Sequence, residues 1–470
     1  MSIFNHEIEI EIEDPFVNCE LNRKQYADIL TSILNGYSEG FVLAINNKWG
    51  EGKTTFVKMW QQSLKNQKYQ TVYFNAWEND FENDPLTALM GELKVLTKKS
   101  TEPQFQNVLK KAAILSKHIG PAVAESIIAK YIDTKVLKEA LIGATKGFSD
   151  IFENEVNEYA EKKKNISDFR IELGDFIAKT SLGKPLVFII DELDRCRPNY
   201  AVSILEQIKH FFSVPNIAFV LSIDKIQLGN AVRGVYGSDL IDADEYLRRF
   251  IDIEYSIPQP EGDTFYKYLF KHYAFDDFFQ STERLGSRQL QNDKENFLNI
   301  CKLLFFNSDA SLRQQQKIFT NARIGLRTFG NNHYVIPAAF LYLNFIKIIH
   351  PNFYNEIRNK KLNLVDFQKS FLKTVQNKYT KDTERQLMWL EAYLGNYYNN
   401  FINERHLRNP FYHRNKENGE NELLIKSVVN PEKEREFLSI HENFYSNDDH
   451  PERSIDYFLN RIELLEDLKS

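Results

Sequence analysis

Two kinds of hydrophobic pattern alternate along this chain as far as about Pro258. Phe41-Val42-Leu43-Ala44-Ile45 is a continuous apolar run of strand length, and Thr71 to Phe74, Leu186 to Ile190 and Ile217 to Ser222 look alike. Such runs predict parallel strands covered on both faces, and the more alternating stretch Ile251 to Ile257 is a fifth strand candidate. Between them the spacing turns helical. Tyr26, Ile29, Leu30, Ile33 and Leu34 predict a helix before the first run, with Asn22 and Gln25 as a capping pair and Gly36 as the stop. Phe56, Met59, Trp60 and Leu64 follow that run, and Val202, Leu205, Ile208 and Phe212 follow the third. Strand and helix in alternation predict an α/β fold with a doubly wound, mainly parallel sheet.

Elsewhere the strand pattern is missing. From Pro85 to Lys184 the sequence is charged and helical, with Lys162-Lys163-Lys164 within it, and reads as a helical insertion between the second and third strands. After Pro258 the chain is aromatic and helical to its end, opening with Asp263 as a cap ahead of Phe265, Tyr266, Leu269 and Phe270. Val335 to Ile349 is the longest apolar run, yet it carries Pro337, Asn344 and Lys347 and falls short of the ~20 residues needed to cross a bilayer, so it predicts a buried helix.

Composition narrows the class. At 470 residues the chain is long enough for several domains, and with 43% hydrophobic and 13% aromatic residues it is globular. A net charge of -6 argues against coating nucleic acid or an anionic membrane. Cys19, Cys196 and Cys301 show no metal spacing and fit a reducing compartment. The start, Met1 to Glu7, lacks the basic and apolar regions of a secretory signal, so a cytoplasmic location is expected. Charge is basic from about Pro351 to Lys416 and acidic from about Asn421 onward, for which solvated faces are the simplest account.

Candidate chemistry follows the first strand. Asn47-Lys48-Trp49-Gly50-Glu51-Gly52-Lys53-Thr54-Thr55 is close to the phosphate-loop pattern of Gly, four residues, then Gly-Lys-Ser/Thr, with Asn47 where glycine is usual. Gly50 and Gly52 let the backbone curl so that amide hydrogens face phosphate oxygens ahead of a helix N-terminus. Lys53 is expected to reach the β- and γ-phosphates and Thr54 to give its hydroxyl to Mg²⁺. Asn tolerates the left-handed conformation, so Asn47 need not destroy the turn. The third strand ends in Asp191-Glu192. Asp191 there predicts an Mg²⁺ ligand acting through water, and Glu192 a general base that orients or deprotonates the attacking water. Together these make a magnesium-dependent P-loop NTPase the leading reading.

With both motifs in view, the chain resembles the KAP family of P-loop NTPases between about Asn22 and Arg327. The likeness rests on Trp49 before Gly50, on Phe74-Asn75-Ala76-Trp77-Glu78, and above all on Asp191-Glu192-Leu193-Asp194-Arg195-Cys196. The resemblance implies that Asp224, in Ser222-Ile223-Asp224, is a polar sensor, with a helix cap as the plain alternative. It also implies that Arg248 or Arg249, in Tyr246-Leu247-Arg248-Arg249-Phe250, is an arginine finger, with a solvated helix face as the alternative. Ser311-Leu312-Arg313 resembles the start of the family's helical lid, with Arg313 sensing the γ-phosphate. Trp77 is expected in the core, and Asp194 with Arg195 as a mutual pair. Some family members carry membrane spans in the insertion. Here Ala112 to Tyr131 contains Lys117, His118, Glu125 and Lys130 and would be costly in lipid, so a chain without membrane contact is expected.

The domain plan is therefore 1–84 with 185–260 as NTPase core, 85–184 as helical insertion, 261–330 as lid and 331–470 as α-helical interaction region. Its expected ligands are ATP and Mg²⁺, and its expected partner is a second copy or another protein bound through the helical C-terminal region. The first functional reading is an ATPase driving or switching an assembly, with bacterial defence against phage as the setting the resemblance implies. A second is a slow-turnover signalling scaffold. A third places a HEPN-like ribonuclease in the C-terminal region, on the Arg408 to His413 spacing, although Arg327 and His333 satisfy a similar one and Pro410 constrains the helix required. Basic residues from Arg405 to Lys416, interleaved with Phe411 and Tyr412, could touch nucleic acid, but solvation explains them as well.

Overall fold

The computed structural model describes residues 9–119 and 151–467, apart from 38, 82–83, 182, 211, 261–262, 287–289, 307, 330–334, 377–378, 380, 382, 405–409, 417–418 and 448–453. The chain divides into two compact units, one ending at Gln259 and the other beginning at Pro260.

In the first unit, helix α1 (Lys24–Gly36) leads to strand β1 (Phe41–Asn46), helix α2 (Lys53–Asn66) and strand β2 (Thr71–Asn75). Helices α3 (Pro85–Lys94), α4 (Glu102–Ile119) and α5 (Ile151–Thr180) precede β3 (Leu186–Asp191). Then come α6 (Pro198–His210), β4 (Ile217–Ile223), α7 (Lys225–Tyr236), α8 (Ala243–Arg248) and β5 (Ile253–Tyr255). The strands form one parallel sheet in the order β2-β3-β4-β1-β5. Every residue of β3 and β4 is buried, as their unbroken apolar runs require, whereas β2 and β5 lie at the edges and alternate. The edge position of β2 corrects the expectation that all four apolar runs are fully covered.

Two hydrophobic clusters cover the two faces of the sheet. Phe188, Ile190, Phe219 and Leu221 point to one, with residues of α3 to α7. Val187, Ile189, Ala218 and Val220 point to the other, with Leu30 and Leu34 of α1 and Phe56 and Trp60 of α2. The charged helical segment belongs to the first face. Phe169 of α5 meets Phe212 edge-on at 5.8 Å, Phe212 meets Phe219 at 6.0 Å, and Phe219 lies 5.3 Å from Phe188. Most of the Ala112 to Tyr131 run lies outside the described residues. No helix among the described residues is long and apolar enough to cross a membrane.

At the start of α1 the expected Asn22–Gln25 cap is not made. Arg23 is the N-cap residue without a side-chain cap bond, and Asn22 is left-handed with φ 52°. The Arg23 side chain is directed to the phosphate loop instead, as described below.

The second unit is helical with an aromatic core. Phe270, Phe275, Phe279 and Phe297 pack with ring centroids 5.1–6.1 Å apart, and Phe319 adds an edge-on contact to Phe275 at 5.7 Å. The run ending at Ile349 forms the helix Pro337–Ile349, buried from Pro337 through Ile346, and Asn344 within it bonds the Phe340 carbonyl at 2.9 Å. Asp263 precedes the helix Thr264–His272 but makes no side-chain cap bond, pairing instead with Lys267 at 3.1 Å. A departure from the all-helical expectation is an antiparallel hairpin of β6 (Tyr412–Arg414) and β7 (Asn421–Leu423). Gly419, left-handed at φ 73°, sits in its turn, and Asn418-Gly419 is a hairpin signal in the sequence.

Phe188 is wholly buried against Phe219 and the helical layer. Phe188→Ala should lower the stability of the protein by about 3–5 kcal/mol, read as a shift of the urea midpoint. A loss under about 1 kcal/mol would contradict the packing described.

Candidate functional site

The register of the sheet builds a row across its carboxyl end. Asn75 pairs with Asp191, Asp191 with Ser222, Ser222 with Ile45, and Ile45 with Tyr255. Residues paired in register share a face, and here it is the face covered by α1 and α2. The loop from Asn47 to Gly52 curls over this row and delivers α2.

Within the loop the left-handed positions are Gly50 (φ 84°) and Gly52 (φ 77°). Asn47 is not left-handed, which corrects the reason given for tolerating it. Its side chain instead exchanges two hydrogen bonds with the backbone of Ile257, donating from Nδ2 and accepting at Oδ1, both at 2.8 Å, while its N–H bonds Ile223 O at 3.1 Å. A glycine there would leave the loop untied from the chain that follows β5. Lys53, buried, donates to the carbonyls of Asn47 at 2.5 Å and Lys48 at 3.2 Å. Burial pushes its pKa down, while Asp194, Asp224 and Asp191 favour its charge. Thr54 and Thr55 follow, half-buried, in the first turn of α2. Glu51 is buried, which raises its pKa against the pull of Arg23, Lys53 and Lys48.

The carboxylates lie on the same rim. Asp191, 1% exposed, accepts from Tyr73 OH at 2.9 Å and from Glu192 N–H at 3.0 Å. Glu192 is left-handed at φ 61°, the uncommon conformation for a residue with a Cβ. Its carboxylate pairs with Arg195 at 2.7 Å and accepts from Asn75 Nδ2 at 3.3 Å. Burial raises the Glu192 pKa, Arg195 opposes that and Asp191 adds to it. The expected Asp194–Arg195 pair is therefore not formed, because Glu192 takes the arginine. Asp194, raised in pKa by burial, instead accepts from Trp49 Nε1. Asp224 caps α7 through Ile226 N–H at 3.2 Å and also accepts from Trp49 N–H at 3.3 Å. Trp49 thus ties the loop after β1 to those after β3 and β4.

The pattern of the KAP family P-loop domain matches residues 23–382. The chain belongs to the KAP family. It therefore carries a P-loop NTPase domain, a nucleotide-binding fold. A phage T7 exclusion protein of Escherichia coli (strain K12) is 22% identical over 243 residues, covering 47% of this chain and 30% of that protein. The chain thus spans under a third of that relative's length. Two structures of the Aeropyrum pernix ORC2 protein superpose loosely, each with a TM-score of 0.33. The ADPNP–ADP form has 14% identity over 80% of this chain and 75% of that one, and the ADP form 12% over 82% and 81%.

Other residues suggested by the KAP resemblance fall elsewhere. Arg248 is exposed and pairs with Glu245 at 3.0 Å. Arg249 is exposed, and Asp252 three residues on bonds Val42 at the start of β1, the opposite end of that strand from the loop. Neither arginine is brought to Lys53 or Glu192. Arg313 belongs to the second unit, exposed in the first turn of the helix Leu312–Thr328, which Ser311 and Gln314 close with a capping box. Trp77 is 53% exposed, contrary to a core position, with the Arg195 guanidinium 5.7 Å from its ring centre. Its N–H is held by Asn75 Oδ1 at 3.1 Å, so the chain turns outward directly after β2. His413 lies on β6 and not on a helix, while Arg408 and His333 lie outside the described residues; the helix a HEPN-like pair needs is not formed at His413.

Three residues at the site carried no signal strong enough to be chosen from sequence. Asn75 and Arg195 hold Glu192, and both stand inside quoted family motifs. Ser222 is wholly buried beside Asp191, its hydroxyl without a partner among the described residues.

Asn47→Gly restores the commoner loop sequence but removes both bonds to Ile257. It should lower stability by about 1–3 kcal/mol in guanidinium unfolding. A variant as stable as the parent would show that the Asn47–Ile257 pair does not hold the loop.

Proposed function

We propose that the chain binds ATP with Mg²⁺ in the loop Asn47–Thr55 and hydrolyses it. The observation that carries this reading is Lys53, buried at a helix N-terminus inside a curled loop, within the field of three aspartates from two other strand ends. In this reading Lys53 binds the β- and γ-phosphates, trading the carbonyls of Asn47 and Lys48 for phosphate oxygens. The amides of Gly50, Gly52, Lys53, Thr54 and Thr55 would supply the remaining anion contacts, since that of Trp49 is held by Asp224 and that of Glu51 by the Lys48 carbonyl. Thr54 and Asp191 would hold Mg²⁺, Asp191 through water, and the unpartnered Ser222 hydroxyl beside Asp191 suits a hydrated or oxygen-rich ligand shell. The ion would supply charge neutralisation at the phosphates.

Glu192 is the proposed general base. Arg195 and Asn75 engage its carboxylate, so water activation requires that it turn from them toward the γ-phosphate. Arg248 and Arg249, exposed and without a contact to Lys53 or Glu192, would act as fingers toward the site of a neighbouring copy in a homo-oligomer. Asp224 is the proposed polar sensor, tied to the loop through Trp49, and Arg313 keeps the γ-phosphate-sensing role that the resemblance implies. The helical region 331–470 is the proposed partner surface, and a cytoplasmic role in bacterial antiviral defence is the proposed setting, supported by the phage T7 exclusion protein among the relatives.

A second reading, a slow-turnover switch, is favoured by the same Glu192–Arg195 pair at 2.7 Å, which withholds the base until the site is loaded.

Glu192→Gln should cut ATP hydrolysis by roughly 100-fold or more while ATP binding persists, and an unchanged rate would sink the base assignment. Because the Glu192 pKa is raised, hydrolysis should fall with decreasing pH sooner than an ordinary glutamate would dictate, an acid limb absent from the residual rate of Glu192→Gln. Arg195→Gln tests the switch: faster basal turnover is expected if the pair withholds the base, and equal or slower turnover discards it.

A further inference from the structure

The Arg23 side chain lies beneath the phosphate loop, 29 residues before Gly52 in sequence, and is 5% exposed. Its Nη2 donates to Glu51 O at 2.7 Å and its Nη1 to Gly52 O at 3.0 Å. A guanidinium fork spanning two consecutive carbonyls fixes two peptide planes at once. In a trans peptide the carbonyl and the following N–H point in opposite directions. Turning the Glu51 and Gly52 carbonyls down onto Arg23 therefore turns the Gly52 and Lys53 N–H groups up, toward the concave side of the loop. Gly52 O also accepts from Phe56 N–H at 3.1 Å as α2 begins, so the peptide that depends most on Arg23 is Glu51–Gly52.

Two further observations fit a site built for this purpose. Burying the guanidinium disfavours its charge, and its Nε finds no partner among the described residues, so the site keeps a cation where an apolar side chain would pack at less cost. A Cβ built on Gly52 would stand 2.9 Å from Arg23 Nη1, so a side chain there would displace the end of the arginine as well as strain the left-handed backbone. The buried Glu51 carboxyl would otherwise place a negative charge in a loop for anions, and Arg23 opposes that field.

We propose that Arg23 is a positioning residue for phosphate binding: it orients the Gly52 and Lys53 amides and offsets Glu51, without touching the nucleotide. This rests on the ATP-binding reading above. The test is titration of the full chain with a fluorescent ATP analogue, alongside melting temperature without nucleotide, for the parent, Arg23→Ala, Arg23→Lys and Lys53→Ala. Arg23→Ala should bind roughly 10- to 100-fold more weakly, and tens of millimolar guanidinium ion should restore much of that loss but none of the loss in Lys53→Ala. Affinity equal to the parent overturns the proposal, and so does a loss that guanidinium leaves untouched, which assigns Arg23 to the fold alone. If Arg23→Ala does not fold, Arg23→Lys decides. It keeps the charge but replaces a planar fork, which meets each carbonyl with its own nitrogen, by a single rotatable ammonium, so it should bind severalfold more weakly at an unchanged melting temperature, and parent affinity overturns the proposal. A parent chain that binds no ATP analogue while melting cooperatively would instead overturn the nucleotide reading and this proposal with it.

Discussion

A buried lysine at the start of a helix is a physical difficulty. Lys53 opens α2, where the aligned peptide dipoles already present positive potential, and burial disfavours its charge further. The rest of the first unit can be read as what makes that charge tolerable. Two loop carbonyls accept from it, and Asp191, Asp194 and Asp224 surround it from the ends of β3 and β4. A parallel sheet buried on both faces leaves polar groups only at its strand ends, and the order β3-β4-β1 brings these three ends together. What remains unsatisfied is a concave set of amides beside a cation, and that is a demand for an anion.

The acidic side of the site has the complementary problem. Four carboxyls, those of Asp191, Glu192, Asp194 and Asp224, crowd one rim, and burial raises the pKa of Glu192 and Asp194. Each has a different partner: Tyr73 for Asp191, Arg195 with Asn75 for Glu192, the Trp49 indole for Asp194, and the first turn of α7 for Asp224. Since Trp49 touches two of these groups from within the phosphate loop, a change of loop conformation on ligand binding would be felt at both other strand ends. That coupling is carried by hydrogen bonds, and it needs no movement of the sheet.

The strands were legible because a central strand of a covered parallel sheet must be apolar throughout, as β3 and β4 are. The order β2-β3-β4-β1-β5 was not, because apolar runs do not record their neighbours. The loop and the Asp191-Glu192 strand end stood out in the sequence because glycines and carboxylates follow directly on apolar runs, and the sheet brings the two strand ends to one rim. Arg23 was hidden by distance in sequence, since its contact joins segments 28 and 29 residues apart and its own neighbourhood reads as a helix start. Trp77 was misread because aromatics usually pack inside, whereas Asn75 captures the following amides and turns the chain outward. The hairpin at β6 and β7 was overlooked because its strands are three residues each, too short for a period of two to stand out against helical surroundings.

Local rules fail at two points of the site, and the failures differ in kind. Asn47 breaks a sequence rule only: its backbone is ordinary, and its side chain adds the tie to Ile257 that glycine lacks. Glu192 breaks a conformational rule, since a left-handed residue with a Cβ is disfavoured unless its surroundings hold it there. They do so through the Asp191 carboxylate on its N–H and through Arg195 and Asn75 on its side chain. Such over-determined strain is characteristic of places where function, and not folding, selects the residue. A glycine would adopt this turn at no cost but would carry no carboxylate. The side chain is therefore what the strained turn retains, and in the proposed role of Glu192 as a base Arg195 and Asn75 are the groups that would have to release it.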